Sequence, residues 1–450
     1  MDLQRARDEL HRLYTSIPPQ YHLPAILFVA VLALTIAFRS RSRSQPPKQT
    51  TPVPPPQSKK QTREYGRWTP SSYTLPLPAP YPDWSLTETK PLPYRPFRYG
   101  PKYHVTMGLR TVSPDEWIEL DNHFPRYHAD KARRIRERAD KCCITAPEAH
   151  PAAVELLEEL ARYLPARYPS LYQLHHRASP ITSPSETTTT TTTTETEGET
   201  TILKNLFSNE EFTISPSPKE ANNEDPITTC ARLIQDDIAI MMERPDGQYY
   251  LVSGAILLPG FWRLEDKFGM PLSEIHTSGD VPQFKEKLEK GMMNFFRRVK
   301  PEEMVARNNY FLQVDDDLAW SWSIGPEDGD ETTEGKIKGW NAAEKNRAVE
   351  HHMFRSERQT LRRLPKSGGV VFTIRTYFHP VTEIAEEDYV PGRLASAVRS
   401  WGEDVSRYKG KERYGEVLLE YLDRKHEEQV ARGLDLGKGE EEDGRRGYPY

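Results

Sequence analysis

The sequence predicts an α+β fold: an antiparallel sheet with flanking helices, preceded by one N-terminal transmembrane helix. Three observations predict it. A period-two run from Val370 to Phe378 and a hairpin pattern around Pro245-Asp246-Gly247 supply the sheet. Several stretches repeat apolar residues at helical spacing. An uncharged run, Leu23 to Phe38, stands before Arg39, Arg41 and Arg43.

The bulk numbers bound the rest. A chain of 450 residues holds one large domain or two ordinary ones. Hydrophobic residues are 36% and charged ones 28%, and 39 prolines cluster outside periodic patterns, so part of the chain is loosely packed. The net charge of −5 is too mild to imply nucleic acid or acidic lipid as a partner. Cys142, Cys143 and Cys230 show no metal-type spacing, and neighbours such as Cys142 and Cys143 rarely bridge. Buried free thiols in a reducing compartment such as the cytosol follow.

Residues 1–22 form a short polar segment. The run over 23–38 has 16 residues (38 − 23 + 1), short of the roughly 20 a spanning helix prefers. Flanking Tyr21, His22 and the arginines extend it by snorkelling. A buried core helix and a cleaved signal peptide are the alternatives, but no amphipathic pattern surrounds the run and its charge lies on the wrong side for a signal. A membrane anchor is expected. The basic flank then places the large domain in the cytosol, at the endoplasmic reticulum or another intracellular membrane. Residues 39–95 read as a proline-stiffened linker.

One folded domain is expected over 96–430. Ser113-Pro114-Asp115-Glu116 has the form of a capping box opening a helix. A second helix, roughly Pro151 to Leu164, ends at Pro165. Residues 176–225, with the tract Thr187–Thr194, read as a disordered insertion, O-glycosylation being the alternative reading of the threonines. Strands at Ile238–Met242 and Tyr249–Leu258 form the hairpin. Residues 281–299 read as a helix with Phe284, Leu288, Met292 and Phe295 on one stripe, followed by a strand at Asn308–Val314 and an acidic, Gly-rich loop near 325–340. A helix is expected over Ala348–Leu364. In the strand Val370–Phe378, Val370, Phe372, Ile374 and Thr376 share one face, and Val371, Thr373, Arg375 and Tyr377 the other. An amphipathic helix at 411–429 precedes a charged tail, 431–450.

Three blocks carry a resemblance. They are Met107-Gly108-Leu109-Arg110 with Trp117 and Leu120-Asp121; Gly254 through Trp262-Arg263-Leu264 to Ile275-His276; and Arg355-Ser356-Glu357-Arg358-Gln359-Thr360-Leu361-Arg362-Arg363-Leu364-Pro365 with Phe372-Thr373-Ile374-Arg375-Thr376-Tyr377. In that order they resemble the heme-dependent oxidative N-demethylase family, over roughly 94–165 and 227–390. The resemblance implies a PAS-like antiparallel sheet with helices closing one side over a heme. It implies oxidation of a small amine substrate by dioxygen, releasing the demethylated amine and formaldehyde. NADPH acts indirectly, through a separate flavin or iron–sulfur reductase; the chain has no Gly-rich nucleotide loop of its own. The N-terminal run, the threonine tract and the acidic loop depart from the family pattern. So does His-Thr-Ser-Gly-Asp-Val-Pro after His276, where the family has proline sooner.

The resemblance makes His276 the axial ligand of the iron, a common role for a neutral imidazole. The rivals are His351, His352 and His379; a capping or surface histidine is the plainer alternative. Arg355, Arg358 and Arg362, at i, i+3 and i+7, share one face of the expected helix and are set to meet heme propionates with Arg375. A solvated basic face is the plainer alternative for them. Arg307 and Asn309 share one strand face and are candidates to position substrate or water, against ordinary sheet-edge hydrogen bonding. Trp262 and Tyr377 wall the pocket or simply pack the core. Arg110 is expected to pair with Asp121 or Glu119. Two rival functions stay open: a heme-binding sensor without turnover and a cofactor-free membrane scaffold.

Overall fold

The computed structural model describes residues 63–434 except 98, 101, 179–198, 215–223 and 328–338. The helices of eight or more residues or beside the cavity are α1 (Phe124–Arg138), α2 (His150–Arg167), α3 (Pro226–Leu233), α4 (Leu264–Lys267), α5 (Leu272–Thr277), α6 (Glu289–Arg298), α7 (Val390–Arg399), α8 (Glu403–Tyr408) and α9 (Lys411–Ala431). The strands are β1 (Arg110–Thr111), β2 (Cys143–Thr145), β3 (Tyr172–Ala178), β4 (Glu199–Asn205), β5 (Glu211–Ile214), β6 (Asp237–Glu243), β7 (Tyr249–Ala255), β8 (Val305–Gln313), β9 (Met353–Arg363) and β10 (Val370–Pro380).

Seven strands form one antiparallel sheet in the order β1-β8-β9-β10-β6-β7-β2. Its centre is the long pair β9–β10, in register from Arg363 opposite Val370 to Met353 opposite Pro380. β-branched and aromatic residues make β10 a natural strand. The segment of β9 contradicts the helix expected over 348–364. Glu, Arg, Gln and Leu are good helix formers, yet all eleven β9 residues are buried between β8 and β10. Two flanking ladders satisfy the backbone there, and tertiary pairing overrides local preference.

Helices α1, α2 and α3 cover one face of this sheet through a core containing Trp117, Tyr127, Leu156, Leu160 and Ile240. The expected stop at Pro165 is also corrected: α2 runs on to Arg167. Pro165 gives up its own bond to the carbonyl four residues back, yet the helix continues past it, with Tyr168 N donating to Leu164 O at 2.8 Å. The capping box at Ser113 is present, with the Ser113 amide donating to Glu116 Oε2 at 2.9 Å, but it opens one 3-10 turn only. Helices α7 and α9 pack together at the far end around Leu394, Val398, Leu418 and Leu422.

The expected transmembrane helix is corrected. Among the described residues no helix is long and apolar enough to cross a membrane, and residues 23–38 lie outside them. Part of the expected insertion is ordered: β4 pairs with β3 and β5 in a three-stranded sheet, while Thr187–Thr194 lie outside the described residues. Residues 63–95, expected as linker, bury Leu75, Trp84 and Tyr94, and Trp84 Nε1 donates to Leu120 O at 2.8 Å. All three cysteines are buried free thiols.

Behind the sheet lies a charged layer. Asp236 is fully buried and neither carboxylate oxygen has a partner. Burial pushes its pKa up to about 6, against the pull of Arg375, Lys131 and Arg358. A carboxyl whose folded pKa is raised binds its proton more tightly folded than unfolded. Its stabilising effect is complete below the unfolded value and lost as pH rises through about 6. Asp236→Asn is therefore expected to stabilise the protein by on the order of 2–3 kcal/mol at pH 7.5 and by almost nothing near pH 4. Denaturant melts at the two pH values check this; equal effects at both would refute it.

Candidate functional site

The other face of the sheet borders a cavity of about 460 Å³. Alternation puts Arg307 and Asn309 of β8, Glu357, Gln359 and Leu361 of β9, and Phe372 and Ile374 of β10 on this side. The roof is α5, a π-turn at Phe284–Leu288 and α6, whose Met292 and Phe295 face inward. The loop after β7 adds Leu258, Phe261 and Trp262 to the wall. The volume falls in the range of small-molecule and cofactor sites, roughly 300–1,000 Å³.

His276 comes from α5 into this cavity. Its Nδ1 lies 2.8 Å from the carbonyl oxygen of Leu272, one turn earlier in α5. A carbonyl only accepts, so Nδ1 carries the proton and Nε2 keeps a lone pair. The ring stacks on Phe284 with centroids 4.8 Å apart. Burial lowers its pKa, which keeps the imidazole neutral at pH 7. A neutral ring, fixed in tautomer and orientation by its other nitrogen, is how metal-ligating histidines are held. His351, His352 and His379 do not line the cavity; His352 Nε2 meets Arg347 O at 2.9 Å.

Polar groups gather at one end. Arg307 Nη1 donates to Gln359 Oε1 at 3.0 Å, and Gln359 Nε2 donates to Glu357 Oε2 at 3.0 Å. Lys409 follows α8 and its Nζ donates to Tyr310 O. Burial raises the Glu357 pKa and lowers that of Lys409 to about 7. The remaining wall is mostly apolar, with Ile256, Leu288 and Phe296 among its residues.

Of the residues expected at the site, His276, Arg307, Asn309 and Trp262 do line the cavity. Arg358, Arg362, Arg375 and Tyr377 lie on the opposite face of the sheet. Arg358 Nε is 3.0 Å from Glu119 Oε1, Arg362 pairs with Glu159, and Arg375 pairs with Asp121. The Tyr377 hydroxyl donates to Glu119. The common helical face expected for Arg355, Arg358 and Arg362 does not exist, because strand parity separates position 355 from 358 and 362. Arg355 points to the cavity side but its donors are taken within the protein: it donates to the backbone oxygens of Leu258 and, at 3.1 Å, Leu318, and to the side-chain Oε1 of Gln313 at 3.2 Å. Since Asp121 and Glu119 serve the back-face arginines, Arg110 instead approaches Asn308 Oδ1 at 3.5 Å.

Glu357, Gln359 and Lys409 were not anticipated. The first two become visible once 353–363 is read at period two, because they alternate with Arg358 and Thr360. Lys409 carries no local signal; only the fold brings it beside β8. Residues 108–419 match the family described as haem-dependent oxidative N-demethylase, alpha subunit-like. That span contains His276, the whole central sheet and the roof of the cavity. The chain belongs to the haem-dependent oxidative N-demethylase, alpha subunit-like family.

Proposed function

We propose that this protein is a heme-dependent oxidoreductase that removes an N-methyl group from a small amine with dioxygen. Electrons reach it from a separate NADPH-dependent reductase carrying flavin or iron–sulfur centres. The observation that carries the reading is His276, whose Nε2 lone pair stands in an apolar-walled cavity of about 460 Å³ while Nδ1 is fixed by Leu272. Family membership supports it. The residues present fit an iron porphyrin: one neutral imidazole for the metal, apolar side chains for the ring faces, and a polar end for its carboxylates. Bound heme supplies the oxygen and electron chemistry, which belongs to the cofactor.

The chain's own residues do the rest. His276 ligates. Leu258, Phe261, Leu361 and Phe372 keep water from the reacting groups. Glu357, buried with its carboxyl facing the cavity, accepts the N–H of an amine and takes up a proton readily, since burial raises its pKa. Asn309 adds a neutral donor and acceptor on the same strand face.

The test is an absorption spectrum of the full-length protein with hemin, oxidised and then reduced. A strong Soret band that shifts on reduction and again with carbon monoxide is expected. Oxygen consumption should then require both an amine and the reductase. A protein that stays colourless with hemin overturns the heme reading. A heme protein that consumes no oxygen with any N-methyl amine overturns the demethylase reading alone.

A further inference from the structure

Arg307 and Lys409 stand out among the cations of the cavity wall. Lys409 is 3% exposed, and Arg307 Nε is buried without a hydrogen-bond partner. Neither makes an ion pair among the described residues; each gives a single hydrogen bond, to Gln359 Oε1 and to Tyr310 O. The Lys409 ammonium also lies 4.8 Å from the centre of the Tyr310 ring and 5.5 Å from that of Trp401. The third cation of the wall, Lys267, has a close partner in Ser278 Oγ at 2.6 Å. The back-face arginines show what this protein does with buried cations elsewhere: it gives Arg358, Arg362 and Arg375 a carboxylate each. At the polar end of the cavity, Glu357 is the one nearby carboxylate among the described residues, and it is held by Gln359 rather than by either cation. When Lys409 is protonated, two buried cations share the single Glu357 carboxylate, and the excess positive charge is costly to bury.

We propose that Arg307 and Lys409 form a carboxylate subsite at the polar end of the cavity, completed by an anionic group of the bound molecule. The guanidinium presents a fork for two carboxylate oxygens and the ammonium a point charge. Two molecules bring a carboxylate here: a heme, through its propionates, or an amine substrate that is itself an N-methyl amino acid. The first source rests on the heme reading above; the second does not.

The experiment uses the full-length protein in two arms. In the first, hemin and hemin dimethyl ester are titrated and followed at the Soret band. In the second, N-methylglycine and dimethylamine are compared by thermal shift, with and without hemin. The variants are Arg307→Gln and Lys409→Met, with Arg307→Lys as the charge-keeping control. If propionates are the source, wild type binds hemin at least about tenfold more tightly than the diester, and each neutral variant narrows that gap while Arg307→Lys keeps most of it. If the substrate is the source, hemin and diester bind alike, N-methylglycine stabilises more than dimethylamine, and the neutral variants abolish that difference. Absence of a Soret band with either porphyrin refutes heme binding and leaves the subsite to the N-methylglycine arm. Wild type that distinguishes neither pair, or neutral variants that keep the full discrimination, overturns the subsite. Circular dichroism of each variant confirms folding before the comparison is made.

Discussion

His276→Ala is expected to remove the ligand-dependent Soret spectrum of the hemin-loaded protein while leaving the apo-protein folded. His276 has a structural role and a proposed ligand role. As a structural group, His276 contributes a hydrogen bond to Leu272 O and a stacked contact with Phe284. It sits in a helix of six residues at the cavity roof, only partly buried. Losing those contacts costs about 1–2 kcal/mol, so the melting temperature falls by a few degrees at most. In the ligand role proposed for it, its loss would be total, because His351, His352 and His379 do not line the cavity. The vacated space admits free imidazole, and added imidazole should restore the spectrum to the variant but not change wild type. His352→Ala serves as the control: it is expected to lose stability, since His352 is fully buried and bonded to Arg347 O, and to keep the heme spectrum. An unchanged spectrum in His276→Ala, with the His352 variant colourless, would move the ligand to the other histidine.

Two neighbouring strands differ in how much of the site their sequences reveal. In β10 the sequence VVFTIRTYF alternates cleanly, and the faces read from it match the structure: Phe372 and Ile374 meet the cavity, and Arg375 and Tyr377 meet Asp121 and Glu119 behind the sheet. In β8 the shared parity of Arg307 and Asn309 also brought both to the cavity. β9 defeated the same reasoning. Its charged and flexible residues fit a helical spacing, and nothing local signals that Arg358 and Arg362 are buried against Glu119 and Glu159, which belong to a loop and a helix about 240 and 200 residues earlier in the chain. Three of the four arginines expected around a ligand, Arg358, Arg362 and Arg375, are instead paired with carboxylates on the sheet's other face. The polar end of the cavity was hidden for a related reason: Lys409 lines the same cavity as Glu357 only because the fold carries the end of α8 back to β8, where its Nζ donates to Tyr310 O. Single positions on a regular strand are readable from alternation; pairings across long separations are not.

The strongest stability effect follows from that buried pairing. Arg375→Ala is expected to cost about 3–5 kcal/mol, because it leaves the Asp121 carboxylate charged, buried and unpaired. The guanidinium also donates to Thr376 O and to Glu119 O, the latter at 3.2 Å, and lies 4.7 Å from the centre of the Tyr127 ring and 4.5 Å from that of Tyr377. Asp121 itself holds the Gln235 amide at 3.1 Å and the His123 backbone N–H at 2.9 Å, so the damage spreads to the start of α1. Adding Asp121→Asn to Arg375→Ala should return part of the loss, since an amide tolerates a buried site without a cation; denaturant melts of the four proteins give the coupling. Arg375→Lys keeps the charge but not the fork, and should fall between wild type and alanine. Molecules of Arg375→Lys that remain folded should bind hemin as wild type does, because Arg375 follows Ile374 on β10 and therefore points away from the cavity. If Arg375→Lys kept its full stability and lost heme affinity, the arginine would belong to the cofactor site and the two faces of the sheet would have been assigned the wrong way round.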